Sequence, residues 1–148
     1  METIERIVDP TSGSVLAIIV HPGFVEPGIR FVTEDHSTHQ IGVLNWRKGH
    51  QIEDHIHNPL HRSIDSTQEV LFVRSGRVRV DLYSDDTVYI DSRELAEGDV
   101  IFLAAGGHGF EILDDADIVE VKQGPYMGDG EKTRFTPYDN PYREAPHG

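Results

Sequence analysis

The sequence predicts an all-β fold, on three observations. Short runs rich in β-branched residues recur along the chain, Gly, Pro and Asp punctuate the gaps between them, and no stretch carries helical periodicity. Many short strands at such spacing form a sandwich or a barrel. Residues 15–20 and 29–32 are the first two strands expected, separated by Pro22, Gly23, Pro27 and Gly28, which read as turns. Residues 41–46 make a third, and residues 70–73 a fourth that Ser75 and Gly76 stop. From Arg77 the chain alternates polar and apolar through Leu82, the pattern of a half-buried strand with Arg77 and Arg79 on its outer face. Its partner is expected at residues 87–91, across a turn at Ser84, Asp85 and Asp86, with residues 92–96 as a further turn. Residues 100–103, 110–113 and 118–121 complete the strands, and Asp114, Asp115 and Asp117 read as a polar turn.

A chain of 148 residues is one domain's worth, large enough to bury a core, and no repeat divides it. Its 26 acidic against 13 basic residues give a formal charge of −13, which argues against nucleic acid and anionic membranes as partners. There is no cysteine, so disulfides, thiol nucleophiles and cysteine-ligated zinc are excluded, and a reducing cytoplasm is the compartment expected. Residues 1–10 carry three acids and no apolar core, unlike a signal peptide. No apolar run approaches the length of roughly 18 residues that suggests a membrane-spanning helix. Residues 1–122 are expected to form the barrel. Residues 123–148 are rich in proline and carry Tyr126, Phe135, Tyr138 and Tyr142. They read either as an irregular tail or as a strap packed over the barrel or a neighbouring subunit, with the last few residues disordered in both cases.

Two distant segments carry the chemistry. The first contains Gly49, His50, His55 and His57 and continues to Glu69 and Gly76; the second runs from Gly98 and Asp99 to His108. Residues two apart on a strand share a side, so His55 and His57 can converge on one ion. Glu69 shares a face with Leu71 and Val73, and a carboxylate there is expensive unless paired or bound to metal. Nine histidines make one His-x-His pair unsurprising, so the weight rests on the glycine spacings, the core-facing glutamate and the second segment. The other histidines, among them His21, His36, His39, His50 and His61, read as surface residues.

These paired segments resemble the motifs of the cupin superfamily: Gly-x5-His-x-His, then Glu-x6-Gly, then a Gly-Asp-led segment ending in histidine. The resemblance covers about residues 49 to 110. It implies a single cupin-type β-barrel, a double-stranded β-helix or jelly roll, with His55, His57, Glu69 and His108 holding one divalent transition metal. Three imidazoles and a carboxylate suit Fe, Mn, Ni or Zn. The chain departs from the pattern in the eleven residues between His57 and Glu69, in Ala104 where proline is usual, and in the early position of His108.

A site of that kind leaves coordination positions open, which implies a small-molecule enzyme of the oxygenase or the isomerase or lyase type. Glu69 is the catalytic candidate beside the ion. Arg62, in the long insert, is a candidate clamp for an anionic substrate, with a solvated loop arginine as the alternative. A non-catalytic barrel that binds or senses a small ligand is the competing class, and a homodimer is the expected assembly. No Gly-x-Ser-x-Gly elbow, glycine-rich phosphate loop or His-Glu-x-x-His helix is present.

Overall fold

The computed structural model describes residues 3–143, and the expectation for the last few residues of the chain lies outside them. It is all-β. The strands are β1 (Ile4–Val8), β2 (Val15–Val20), β3 (Gly28–Phe31), β4 (Gly42–Asn45), β5 (Glu69–Tyr83), β6 (Tyr89–Ala96), β7 (Val100–Leu103) and β8 (Gly107–Lys122). One antiparallel sheet runs β1-β2-β7-β5-β6, with β8 along the other edge of β5, and it curls into a half-barrel. The β3–β4 hairpin forms a second, two-stranded sheet. None of the described helical segments is long and apolar enough to cross a membrane.

Strand β5 organises the molecule. Its first residues pair with β7 and its later ones with β6, while β8 follows nearly its whole length. Ser75 and Gly76 do not stop it, as the sequence suggests, because register shifts between Val73 and Val78 absorb them as bulges. Gly76 sits there against the backbone of Asp115 and Ala116, where a Cβ would collide. The bulges also shift the alternation. Odd-numbered Leu71 and Val73 begin the core face, and even-numbered Val80 and Leu82 continue it.

Arg79 lies on the face opposite Val78 and Val80, as expected, but that face is not open to water at this point because Tyr142 and Arg143 cover it. Arg77 is exposed and pairs with Glu94 and Asp114, but Arg79 is buried, donating to Asp81 at 2.8 and 3.1 Å and pairing with Glu111 at 2.7 Å. The acidic cluster at Asp114–Asp117 is likewise not a turn. It lies inside β8, where Asp114 and Asp117 face Arg77 and Arg74. Residues 92–96 extend β6, since Ser92 to Ala96 find register partners on β5. The short run Ile4–Val8 is an additional strand paired with β2.

The main core joins Ile7, Leu16, Ile19, Leu71, Leu82, Leu95 and Ile101 inside the curl. A second cluster, with Ile18, Val20, Val32 and Phe102, lies between the sheet and the β3–β4 hairpin. The β1 edge is tied to β6 by Arg93, whose Nε donates to Glu5 at 2.9 Å.

His21 is not a surface residue. It is partly buried, with Nδ1 2.7 Å from Asp99 and Nε2 2.6 Å from Glu5. Burial alone would lower its pKa, but the hydrogen bonds to Glu5 and Asp99 outweigh it and hold the imidazolium above its ordinary range. The bond to His21 in turn draws Glu5 below its own, against the opposing effect of burial. A raised histidine stabilises the fold fully below its unfolded pKa and loses that contribution as pH rises through the folded value. A depressed glutamate contributes above its unfolded pKa and loses it as pH falls through the folded value. The pair should therefore stabilise most between reference values of 4.5 and 6.5. The stability gap between wild type and His21→Gln should be widest in that window and narrow toward alkaline pH. Urea titrations across pH would show it; a gap independent of pH would contradict the ion-pair account.

Candidate functional site

The curl of β5 brings its first residue, Glu69, and its last, Tyr83, into the wall of one cavity of about 470 Å³. The turn after β7 adds Gly106, and β8 adds Gly107 and His108. The C-terminal segment adds Lys132, Arg134, Phe135 and Arg143 to the lining. This volume falls within the range of pockets that enclose small ligands.

The segment is held in place by polar anchors. Asn140 is buried and donates from Nδ2 to the Tyr83 hydroxyl at 2.7 Å, and its Oδ1 accepts from the Tyr142 backbone at 2.8 Å. Asp139 accepts from the Tyr89 backbone N–H at 2.9 Å. Phe135 meets the Tyr83 ring edge-on at 5.0 Å, and the Arg79 guanidinium lies 4.5 Å from the centre of the Tyr142 ring. Up to Arg143, then, this segment packs over the half-barrel as a strap.

Glu69 and His108 form the acid–base pair of the cavity, with Oε2 3.4 Å from Nε2. Glu69 is buried because its position on β5 faces inward with Leu71 and Val73. The His108 imidazole draws its carboxyl below the usual range, against the opposing effect of burial. Glu120, beside it, is raised by burial and by the charge of Glu69. Burial also holds the Tyr83 phenol above its usual value, so it is a neutral hydroxyl at the cavity wall.

Of the four residues implied as metal ligands, one chain brings together only these two. His55 and His57 lie on an exposed arm, residues 46–67, which carries no strand. Their rings are 5.3 Å apart, and the His55 Nδ1–H donates to the Glu53 carbonyl at 2.7 Å. Arg62 is exposed on the same arm and does not line the cavity. Among the described residues no group of three or more His, Asp or Glu gathers at one point. A tightly held transition metal takes three or four protein donors, and as placed within one copy of the chain Glu69 and His108 supply two of the four implied.

No sequence motif announces the cationic lining. Lys132, Arg134 and Arg143 fall in a segment without periodicity, and the available signal was the interleaving of basic and aromatic residues at Lys132-Thr133-Arg134-Phe135. No protein-family model, curated protein or solved structure matches the chain.

Proposed function

We propose that the protein is a cupin-like jelly roll that binds a small organic anion in the cavity between β5, β8 and the C-terminal strap, and acts on it as an enzyme. The observation that carries this reading is the pairing of opposite chemistries in one cavity. Glu69 and His108 from the strands and Lys132, Arg134 and Arg143 from the C-terminal segment line the same cavity, with Glu131 beside the cations. In a chain of net charge −13, three cations at one open cavity favour a carboxylate or phosphate there, even with Glu131 in the lining and Asp129 paired to Arg134 at 3.1 Å.

The binding groups have distinct roles. Arg134 and Lys132 meet the anion, and Arg143 is positioned by Asp81 at 3.4 Å and by the Phe110 carbonyl at 3.4 Å. Phe135 provides an apolar surface beside Tyr83. The Glu69–His108 pair can take a proton from a bound acid or alcohol and return it. A divalent metal, if bound by the histidines and Glu69, would add Lewis-acid or redox chemistry to this cavity.

Calorimetric titration with small mono- and dicarboxylates and phosphate esters tests the reading. Lys132→Ala with Arg134→Ala should weaken the best ligand by about tenfold or more, the loss of roughly 1.5–3 kcal/mol expected for a charge-assisted hydrogen bond. Unchanged affinity would remove the cationic lining from the site. Tight binding with no conversion of any ligand would leave a binding module.

A further inference from the structure

We infer that residues 46–67 are an exchanged arm: each copy of the chain lays its arm along the free edge of β8 in a second copy, carrying His55 and His57 to the Glu69–His108 pair of that partner. The metal part of this inference rests on the function proposed above; the exchange itself does not.

The arm is built for a partner it lacks within its own chain. Every residue from Trp46 to Thr67 is exposed, and no backbone hydrogen bond among the described residues ties residues 51–66 to the body. Yet it carries Ile52, Ile56, Leu60 and Ile64, with Ile56 87% and Leu60 66% exposed. These four share the even-numbered positions, whereas His55 and His57 are odd-numbered. Laid out as a strand, the arm has an apolar face and a histidine face. A structureless excursion of this length is uncommon in a compact domain and is usually functional.

The body is short of a strand in the matching place. β8 pairs with β5 along one edge, and no described strand pairs with the other. A long unpaired edge is a template for strand addition. Val119 and Val121, exposed on β8 beside Phe72 of β5, give an apolar surface for the arm's isoleucines to extend. The Gln123 Nε2, just past β8, is buried without an acceptor among the described residues. The two half-sets of donors also complement each other: Glu69 and His108 face a cavity, while His55 and His57 face solvent.

A second copy is the occupant because it holds both halves. Symmetric exchange satisfies two arms and two edges with one two-fold interface. An arm of about twenty residues matches the roughly 20–30 residues that each side contributes to a stable interface. At ~3.3 Å per residue the extended arm spans at most on the order of 70 Å, enough to run as a strand on a neighbouring domain and still connect at both ends.

The test uses the full chain and has three arms. Light scattering should give a dimer for wild type and a folded monomer for the Ile52→Asp, Ile56→Asp, Leu60→Asp variant. Because the chain lacks cysteine, a His57→Cys chain and a His108→Cys chain can be mixed by co-expression and treated with a short bismaleimide. A covalent heterodimer, absent when either chain is treated alone, is expected. Zinc titration gives the last arm: His55→Ala with His57→Ala, and Glu69→Ala with His108→Ala, should each lose zinc. Their co-expressed mixture should recover about a quarter of the wild-type level, since half of randomly paired two-fold dimers are mixed and each has one complete site. A monomeric wild type overturns the exchange. So does cross-linking that occurs only within a chain bearing both cysteines. If wild type forms the cross-linked dimer but takes up no zinc, the exchange stands and the metal reading falls.

Discussion

Replacing Asp81 by Ala is expected to lower folding stability by about 3–5 kcal/mol, because it leaves a buried guanidinium without its main partner. Asp81 is completely buried and accepts two hydrogen bonds from Arg79 and one from the Ser92 hydroxyl at 2.6 Å. Burial alone would raise its carboxyl, but the hydrogen bonds from Arg79 and Ser92 outweigh burial and hold it below the ordinary range. Arg143 of the strap reaches the same carboxylate, so the variant should also loosen the cavity wall. A depressed carboxylate contributes its full stability above the unfolded pKa and loses it as pH falls through the folded value. The gap between wild type and Asp81→Ala should therefore hold steady near neutrality and shrink below about pH 3.8. Arg79→Met combined with Asp81→Leu should fall within roughly 1–2 kcal/mol of wild type, since an apolar pair removes both desolvation penalties. Urea unfolding followed by circular dichroism reads all three. A single variant that loses less than the double would mean that Glu111 alone satisfies Arg79.

Asp81 also shows where the sequence stopped being legible. Its strand was readable from the alternation of Val78, Val80 and Leu82, yet the burial of Arg79 and Asp81 was not. Period-two patterning assigns one face to the core and the other to water. Here the second face is covered by the strap, through Tyr142 and Arg143, and a strap without periodicity announces nothing about where it will dock. The same limit hid β1 and the unbroken course of β5 and β8: local signals at Ser75-Gly76 and Asp114–Asp117 read as stops, and pairing between the two long strands overrode them.

Half of the candidate site was legible for a physical reason. Glu69 declared itself as a carboxylate on an apolar face, and the structure places it inward, beside His108. The spacing of His55 and His57 could indicate only that the two imidazoles can converge. It could not indicate which body they converge on, because a free arm takes its position from whatever edge it pairs with. The eleven residues between His57 and Glu69 are the sequence-level trace of that arm.

Gly106→Ala is expected to be as damaging as any single methyl added to this protein, and to weaken ligand binding together with stability. Gly106 has φ +71°, and a Cβ there would run into the Tyr83 carbonyl oxygen and come within 2.8 Å of the Leu16 side chain. Leu16 can turn aside; the Tyr83 carbonyl belongs to β5 and cannot move without disturbing the strand pairing at Tyr83 and Gly107. Gly13 serves as the control, because it has a similar φ of +76° but open space where the Cβ would go. Gly13→Ala should lose only the conformational term of about 1 kcal/mol. Gly106→Ala should lose that amount plus the collision, on the order of 3 kcal/mol or more in total, as for other overpacked sites. The displaced turn leads directly into His108, so its separation from Glu69 should grow and anion affinity should fall, whereas Gly13→Ala should bind as wild type does. Equal stabilities for the two variants would mean that the β7–β8 turn yields freely. In that case the rigid backing that sets His108 against Glu69 must come from the strap, through Phe135 packed against Gly107 and Tyr83, and not from the turn.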